Sequence, residues 1–215
     1  MLRRSLRIAL FAAAALLAVW LVSRVTKKPF PPDTTPTGAY LRIALALAKN
    51  AERDVFPYLE TDAQWASFSI RDMRRETTRL VEAHYPRGEG DTLVSSIREE
   101  ATATDGPNVF VILSKRKGFG ARLRRDLSGV ASVEIDGDRA SVVTSRGTRY
   151  PFRKRDNGIW GLTSFTAELV AERERAARDL AVVRTAAGDY ARAAGQSLST
   201  GSPALPQPGS TTLPK

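Results

Sequence analysis

Past residue 37 the apolar positions fall into two rhythms, one of three to four residues and one of two. Tyr40, Ile43, Ala44 and Leu47 recur at helical spacing behind Thr37, which is suited to an N-cap. A short turn around Val55, Phe56 and Tyr58 is interrupted by Pro57. Asp62 opens a longer helical stretch in which Ile70, Met73, Thr77, Leu80, Val81 and His84 share a face, and Tyr85-Pro86 ends it. Asp91 heads a further helix carrying Val94 and Ile97. Val109 to Leu113 reads both ways: Asp105 and Pro107 signal a helix start, while Val, Phe, Val and Ile in succession signal a strand.

From Ala131 the period changes to two. Ala131, Val133 and Ile135 alternate before Asp136-Gly137, and Ala140 to Thr144 precedes Arg146-Gly147. Tyr150 and Phe152 alternate before Asp156-Asn157-Gly158, and Trp160 alternates with Leu162. Four short strands joined by three hairpin turns follow, with Phe152, Trp160 and Leu162 as core. One face of such a meander needs helices to cover it. After Ser164, the residues Phe165, Leu169, Ala176, Leu180, Val183, Ala187, Tyr190 and Ala194 keep helical steps along a helix too long for a small sheet to cover. Its distal half must pack on the N-terminal helices, the first of them preferred, or serve as a docking face for another protein or a second copy. The fold class is therefore α+β: N-terminal helices packed on a four-stranded antiparallel meander, then a long C-terminal helix.

The N-terminus is separate. Ile8 to Val22 reads IALFAAAALLAVWLV without a charge, with Arg3, Arg4 and Arg7 before it and Arg24, Lys27 and Lys28 after. Its length is short of a ~30 Å hydrocarbon core, so it fits a signal-peptide core as well as a span. Small residues are missing at the end of the run, where a signal peptidase would need them, which favours an uncleaved anchor. Flanking cations that snorkel, and Trp20 at the interface, lengthen the effective span. The expected arrangement is a membrane segment over 1–25, a Pro-rich linker over 26–37, one domain over 38–194 and a disordered Gly/Ser/Thr/Pro-rich tail over 195–215. A single-pass inner-membrane protein with its domain on the periplasmic side follows; a periplasmic or secreted product after cleavage is the alternative.

Charge changes the picture less than its total suggests. Removing the six flanking cations from 33 Lys and Arg leaves 27 against 23 Asp and Glu, a balance of +4 with the signs interspersed. Nucleic acid is therefore not an expected partner. With no Cys and one His, disulfides, thiol nucleophiles, zinc ribbons and His-rich metal sites are excluded. No catalytic residue, metal or cofactor is assigned. The one dense basic cluster, Lys115, Arg116, Lys117, Arg122, Arg124 and Arg125, lacks the spacing of a phosphate-binding loop and reads as a solvated or headgroup-facing surface. On the long helix, Glu174 with Arg178 and Arg175 with Asp179 are spaced for ion pairs. His84 reads as a packed or C-capping residue.

Helices followed by the stretch VEIDGDRASVVTSRGTRYPFRKRDNGIW, Val133 to Trp160, resemble the helix-over-curved-sheet cone of the nuclear-transport-factor-like (ketosteroid-isomerase-like, cystatin-like) superfamily, as seen in uncharacterised bacterial membrane-anchored proteins of that type. The resemblance covers Gly38 to Phe165. Only Val109 to Leu113 could supply that superfamily's early strand, and the long C-terminal helix lies outside the shared pattern. Catalytic members set a carboxylate against a Tyr or a protonated Asp across the cone. No residue here matches those positions one by one; Asp72 and Glu76 on the long helical stretch, with Tyr150 on the sheet, are the weak pocket candidates, and Asp72, off the apolar stripe, reads as solvated. The expected function is a membrane-anchored, extracytoplasmic, non-catalytic domain binding a protein partner or small apolar ligand; a small ketosteroid-isomerase-type enzyme is the alternative.

Overall fold

The computed structural model describes residues 30–200. The apolar run Ile8–Val22 and its flanking cations lie outside them. Among the described residues no helix is long and apolar enough to cross a membrane. The order is α1 (Pro36–Ala48), a 3-10 helix (Glu52–Tyr58), α2 (Thr61–His84), α3 (Asp91–Thr102), α4 (Gly106–Lys117) and α5 (Phe119–Asp126). Then come β1 (Val130–Asp136), β2 (Arg139–Thr144), β3 (Arg149–Lys154), β4 (Trp160–Leu162) and α6 (Thr166–Thr200). The strands form one antiparallel sheet in the order β1-β2-β3-β4.

The local signals explain most of these boundaries. Thr35, not Thr37, caps α1: its side chain accepts from the Gly38 amide at 3.1 Å, and Pro36 takes the first helical position, where a missing N–H costs nothing. The turn at Val55–Tyr58 belongs to a 3-10 helix that holds Pro57 within it. Val109–Leu113 is the middle of α4, so this stretch supplies no early strand. The Asp105 carboxylate accepts from the Asn108 amide at 2.9 Å, and that cap decides the ambiguous run. Its β-branched residues suit a helix buried on much of its circumference: Val109, Phe110 and Leu113 are fully buried. Gly118, in the left-handed region at φ 70°, ends α4 and starts α5.

The inner face of the sheet presents Ala140, Val142, Tyr150, Phe152 and Leu162 to a core completed by Tyr40, Ile43 and Leu47 of α1 and by Val55 and Phe56. Phe152, Trp160 and Leu162 are all buried. Ile135 departs from the alternation: it is 60% exposed, near the turn end of the edge strand β1. Gly161 is where backbone meets backbone. A Cβ there would lie 2.7 Å from Glu60 Cα, and this close approach carries the lone parallel bridge between Leu59 and Leu162.

The long helix α6 packs along α2, not along α1. Leu169, Ala176, Leu180, Val183 and Ala187 are buried there, so the stripe that called for a covering receives it inside the chain, from the second of the major helices. The reason is length: α2 spans 24 residues, about 36 Å, against 13 residues in α1. The helix continues to Thr200, past Ala194, where the sequence places the end of the domain. Residues 30–35, within the Pro-rich stretch expected to act as a spacer, lie against the domain. The Trp160 indole donates to the Thr34 carbonyl at 3.1 Å, its amide donates to Asp33, and Arg42 donates to the Pro31 carbonyl at 2.6 Å.

Candidate functional site

The three pocket candidates occupy separate surroundings. Asp72 lies on an exposed turn of α2 and pairs with Arg71 at 2.8 Å. Glu76 takes two hydrogen bonds of 2.8 Å from Arg79, which hold its carboxyl below the usual range. Tyr150 sits in the core, its ring 5.3 Å from that of Tyr40, and its hydroxyl donates to the Leu123 carbonyl at 3.4 Å. Burial, followed by the neighbouring Tyr40 and Asp126, pushes the Tyr150 phenol up to about 12. Both carboxylates are thus engaged by arginines one or three residues away on α2, and the phenol faces a backbone carbonyl. The structure does not bring the three together.

The basic cluster is a solvated face and not a cradle: all its members but Lys117 are exposed, and most of its cations meet carboxylates from other elements. Arg116 joins Glu100 at 2.5 Å and Glu99 at 3.2 Å, and Lys117 joins Glu172 at 2.7 Å. Arg122 joins Glu168 at 2.7 Å while lying over the stacked rings of Phe119 and Phe165, and Arg124 joins Glu52 at 3.1 Å. The Arg125 guanidinium lies beside its neighbour Asp126 at 3.6 Å. The cluster fastens α4 and α5 to α3, α6 and the 3-10 helix. Likewise Asp179 reaches Arg74 across the helix pair at 2.5 Å, and Arg175 turns to Glu172. His84 is exposed in the last turn of α2 and not packed; the ring contact to α6 at this end is made by Tyr85 with Tyr190. Among the described residues no group of three or more acidic or His side chains is placed to hold a metal.

What the sequence reading passed over is aromatic. Trp65, on the first half of α2, is 65% exposed. Its ring centre lies 6.5 Å from that of Phe68, and the Arg71 guanidinium lies 5.8 Å from the Phe68 ring. Arg71 also donates to the Thr104 carbonyl at 3.2 Å, and Phe68 packs so closely on Gly106 that a Cβ there would lie 2.8 Å from its ring. This ridge therefore adjoins a groove of about 700 Å³ between α3 and α4, lined by Ala103, Thr104, Val111, Ile112, Lys115 and Arg116 among others. At the ridge's edge Arg53 grips Asp105 with two nitrogens and also reaches Asn108; the hydrogen bond from Arg53 lowers the Asp105 pKa. The signal was available: Trp65 lies five residues before Ile70, about 140° round the helix from the apolar stripe. Such a side chain has no core to enter. Comparisons with known protein families, with curated proteins and with solved structures return no match to this chain.

Proposed function

We propose that this chain is a membrane-anchored, non-catalytic domain on the extracytoplasmic side of the bilayer, and that it works by binding a protein partner. The observation that carries this reading is the exposed Trp65 on the half-buried Phe68 and Arg71, beside the α3–α4 groove. Scattered apolar side chains on a surface are ordinary. A Trp and an Arg next to a part-apolar groove form the combination that dominates protein interfaces, since each buries a large area with its polar atoms still able to pair. A small apolar ligand under the sheet is supported less well, because Tyr40, Tyr150, Phe152 and Phe110 pack into that space themselves. A ketosteroid-isomerase-type reaction is supported less well for the reason given by Asp72, Glu76 and Tyr150. The superfamily assignment rests on the helices laid over one face of the meander. The membrane part of the reading rests on the uncharged Ile8–Val22 run between clusters of Arg and Lys.

A photo-crosslinking residue at position 65 of the full chain tests the binding role in cells. It should give a discrete adduct that Arg71→Glu suppresses, whereas the same residue at Val182, 68% exposed on α6, should give none. Equal adducts from both positions, or none from position 65, would overturn the reading. For the anchor, the protein should stay in the membrane fraction with its domain open to protease from the periplasmic side. A soluble product beginning near Thr26 would be incompatible with it.

A further inference from the structure

We infer that the outer strip of α1, with Phe30 beside it, is the face of the domain that lies on the lipid bilayer. The strip is continuous. Phe30 is 51% exposed with the Arg42 guanidinium 4.9 Å from its ring centre, and Leu45, 46% exposed, follows Arg42 by three residues on the same helix. Arg42, Leu45 and Lys49 line one shallow groove with Pro57 and Tyr58. An exposed Phe and Leu flanked by Arg and Lys is the pattern of a helix lying in the interface, apolar side chains towards the acyl boundary and cations among the headgroups. Asp33 and Asp54 balance the strip's own two cations, so the excess positive charge comes from Arg24, Lys27 and Lys28 in the segment that leads to it.

The occupant is chosen by the chain itself. The inference rests on the reading that Ile8–Val22 is held in the membrane. Seven residues, 23–29, separate that run from Phe30 and reach at most about 25 Å when fully extended. Residues 31–34 are then held to the domain by Arg42 and Trp160, so no further slack is available. The part of the domain next to Phe30 is therefore confined close to the bilayer, and that part presents the strip.

The absence of Cys makes a clean test possible in the full chain. Leu45→Cys and Val182→Cys are each labelled with the same small fluorophore and reconstituted into vesicles of three parts phosphatidylethanolamine to one part phosphatidylglycerol. Brominated lipid should quench the label at position 45 several-fold more than that at 182, and aqueous iodide should show the reverse order. Replacing Phe30 with Ser in the Leu45→Cys chain should weaken the lipid quenching. Equal quenching at the two positions, in a chain that resists carbonate extraction, would overturn the bilayer-facing strip and leave the anchor standing. Protection of position 45 from iodide without lipid quenching would assign the strip to a protein surface and also overturn it. Release of the chain by carbonate would remove the anchor and this inference together.

Discussion

The end of the molecule around the sheet and the end around Tyr85 and Tyr190 are held together by different material. Around the sheet, Tyr40, Phe110, Phe119, Phe152, Trp160 and Phe165 form one continuous aromatic core with α1 and the 3-10 helix. Beyond Ile70 and Leu169 the α2–α6 pair carries on with α3 laid on α2, and Ala176, Leu180, Val183 and Ala187 of α6 and Arg74, Thr77 and Val81 of α2 are buried along it. Small side chains let the two helices come close, and the hydroxyls in the seam bond back to their own helix. Thr77 donates back to the Met73 carbonyl at 2.8 Å and Ser67 to Ala63 at 3.0 Å, while Arg74 crosses to Asp179. The sheet end stores its stability in large buried areas. The distal end stores it in smaller aliphatics of α2, α3 and α6, one ion pair and the part-buried Tyr85–Tyr190 pair, so it should open first.

Ending the chain after Arg178 tests that contrast most severely. It removes Leu180 and Val183, each contributing about 1.5 to 3 kcal/mol by burial, and leaves Arg74 without a counter-ion, so urea melts should lose several kcal/mol. An unchanged midpoint would show that the α2–α6 seam holds nothing. At the sheet end, Trp160→Ala should cost about 3 to 5 kcal/mol and free residues 30–35 to hydrogen exchange, since the indole holds Thr34. A cost below about 1 kcal/mol would place the larger store of stability elsewhere.

The ion pair offers a subtler comparison. Asp179→Ala strands a buried guanidinium and should cost about 3 kcal/mol, whereas Arg74→Met leaves a half-exposed carboxylate that water can reach and should cost about 1 kcal/mol. Equal losses would mean that Arg74 is better hydrated than its burial implies. The smallest effect is alkaline. The Tyr150 phenol has an ordinary pKa of 10 and about 12 in the fold, so the folded state holds this proton longer. Its stabilising contribution is complete below pH 10 and falls away as the pH rises from 10 to 12. Tyr150→Phe should flatten the fall in urea midpoint over that range; an unaltered slope would assign it to other phenols, of which Tyr40 is shifted upward too.

The meander was legible because its turns are chemical as well as periodic: Gly137, Gly147 and Gly158 all adopt positive φ, at 57°, 81° and 80°. The α4 stretch was legible only from its cap, since burial on several sides erases helical periodicity. Helix α5, eight residues rich in Arg, carried too little apolar signal to separate from a charged loop. The ion pairs were misread for one reason. Arg122 to Glu168 and Arg74 to Asp179 join residues far apart in the chain, and only the packing of α2 on α6 and of α5 beside it decides which partners meet. The candidate site was half legible, with Trp65 lying off its own helix stripe and the groove beside it created by the placing of α3 against α4.

The clasp between Trp160 and the residues ahead of α1 also has a mechanical side. A pull on the segment before Phe30 meets the Trp160 amide and indole, holding Asp33 and Thr34, and Arg42, holding Pro31, before it can unwind any turn of α1. These contacts share the load across β4 and the helix, and β4 is paired along its length to β3. Force would have to shear several bonds at once, where a bare helix end would peel one bond at a time. A domain pulled from that segment would thus yield first at its far end, along the distal part of α6, and last at the Trp160 clasp.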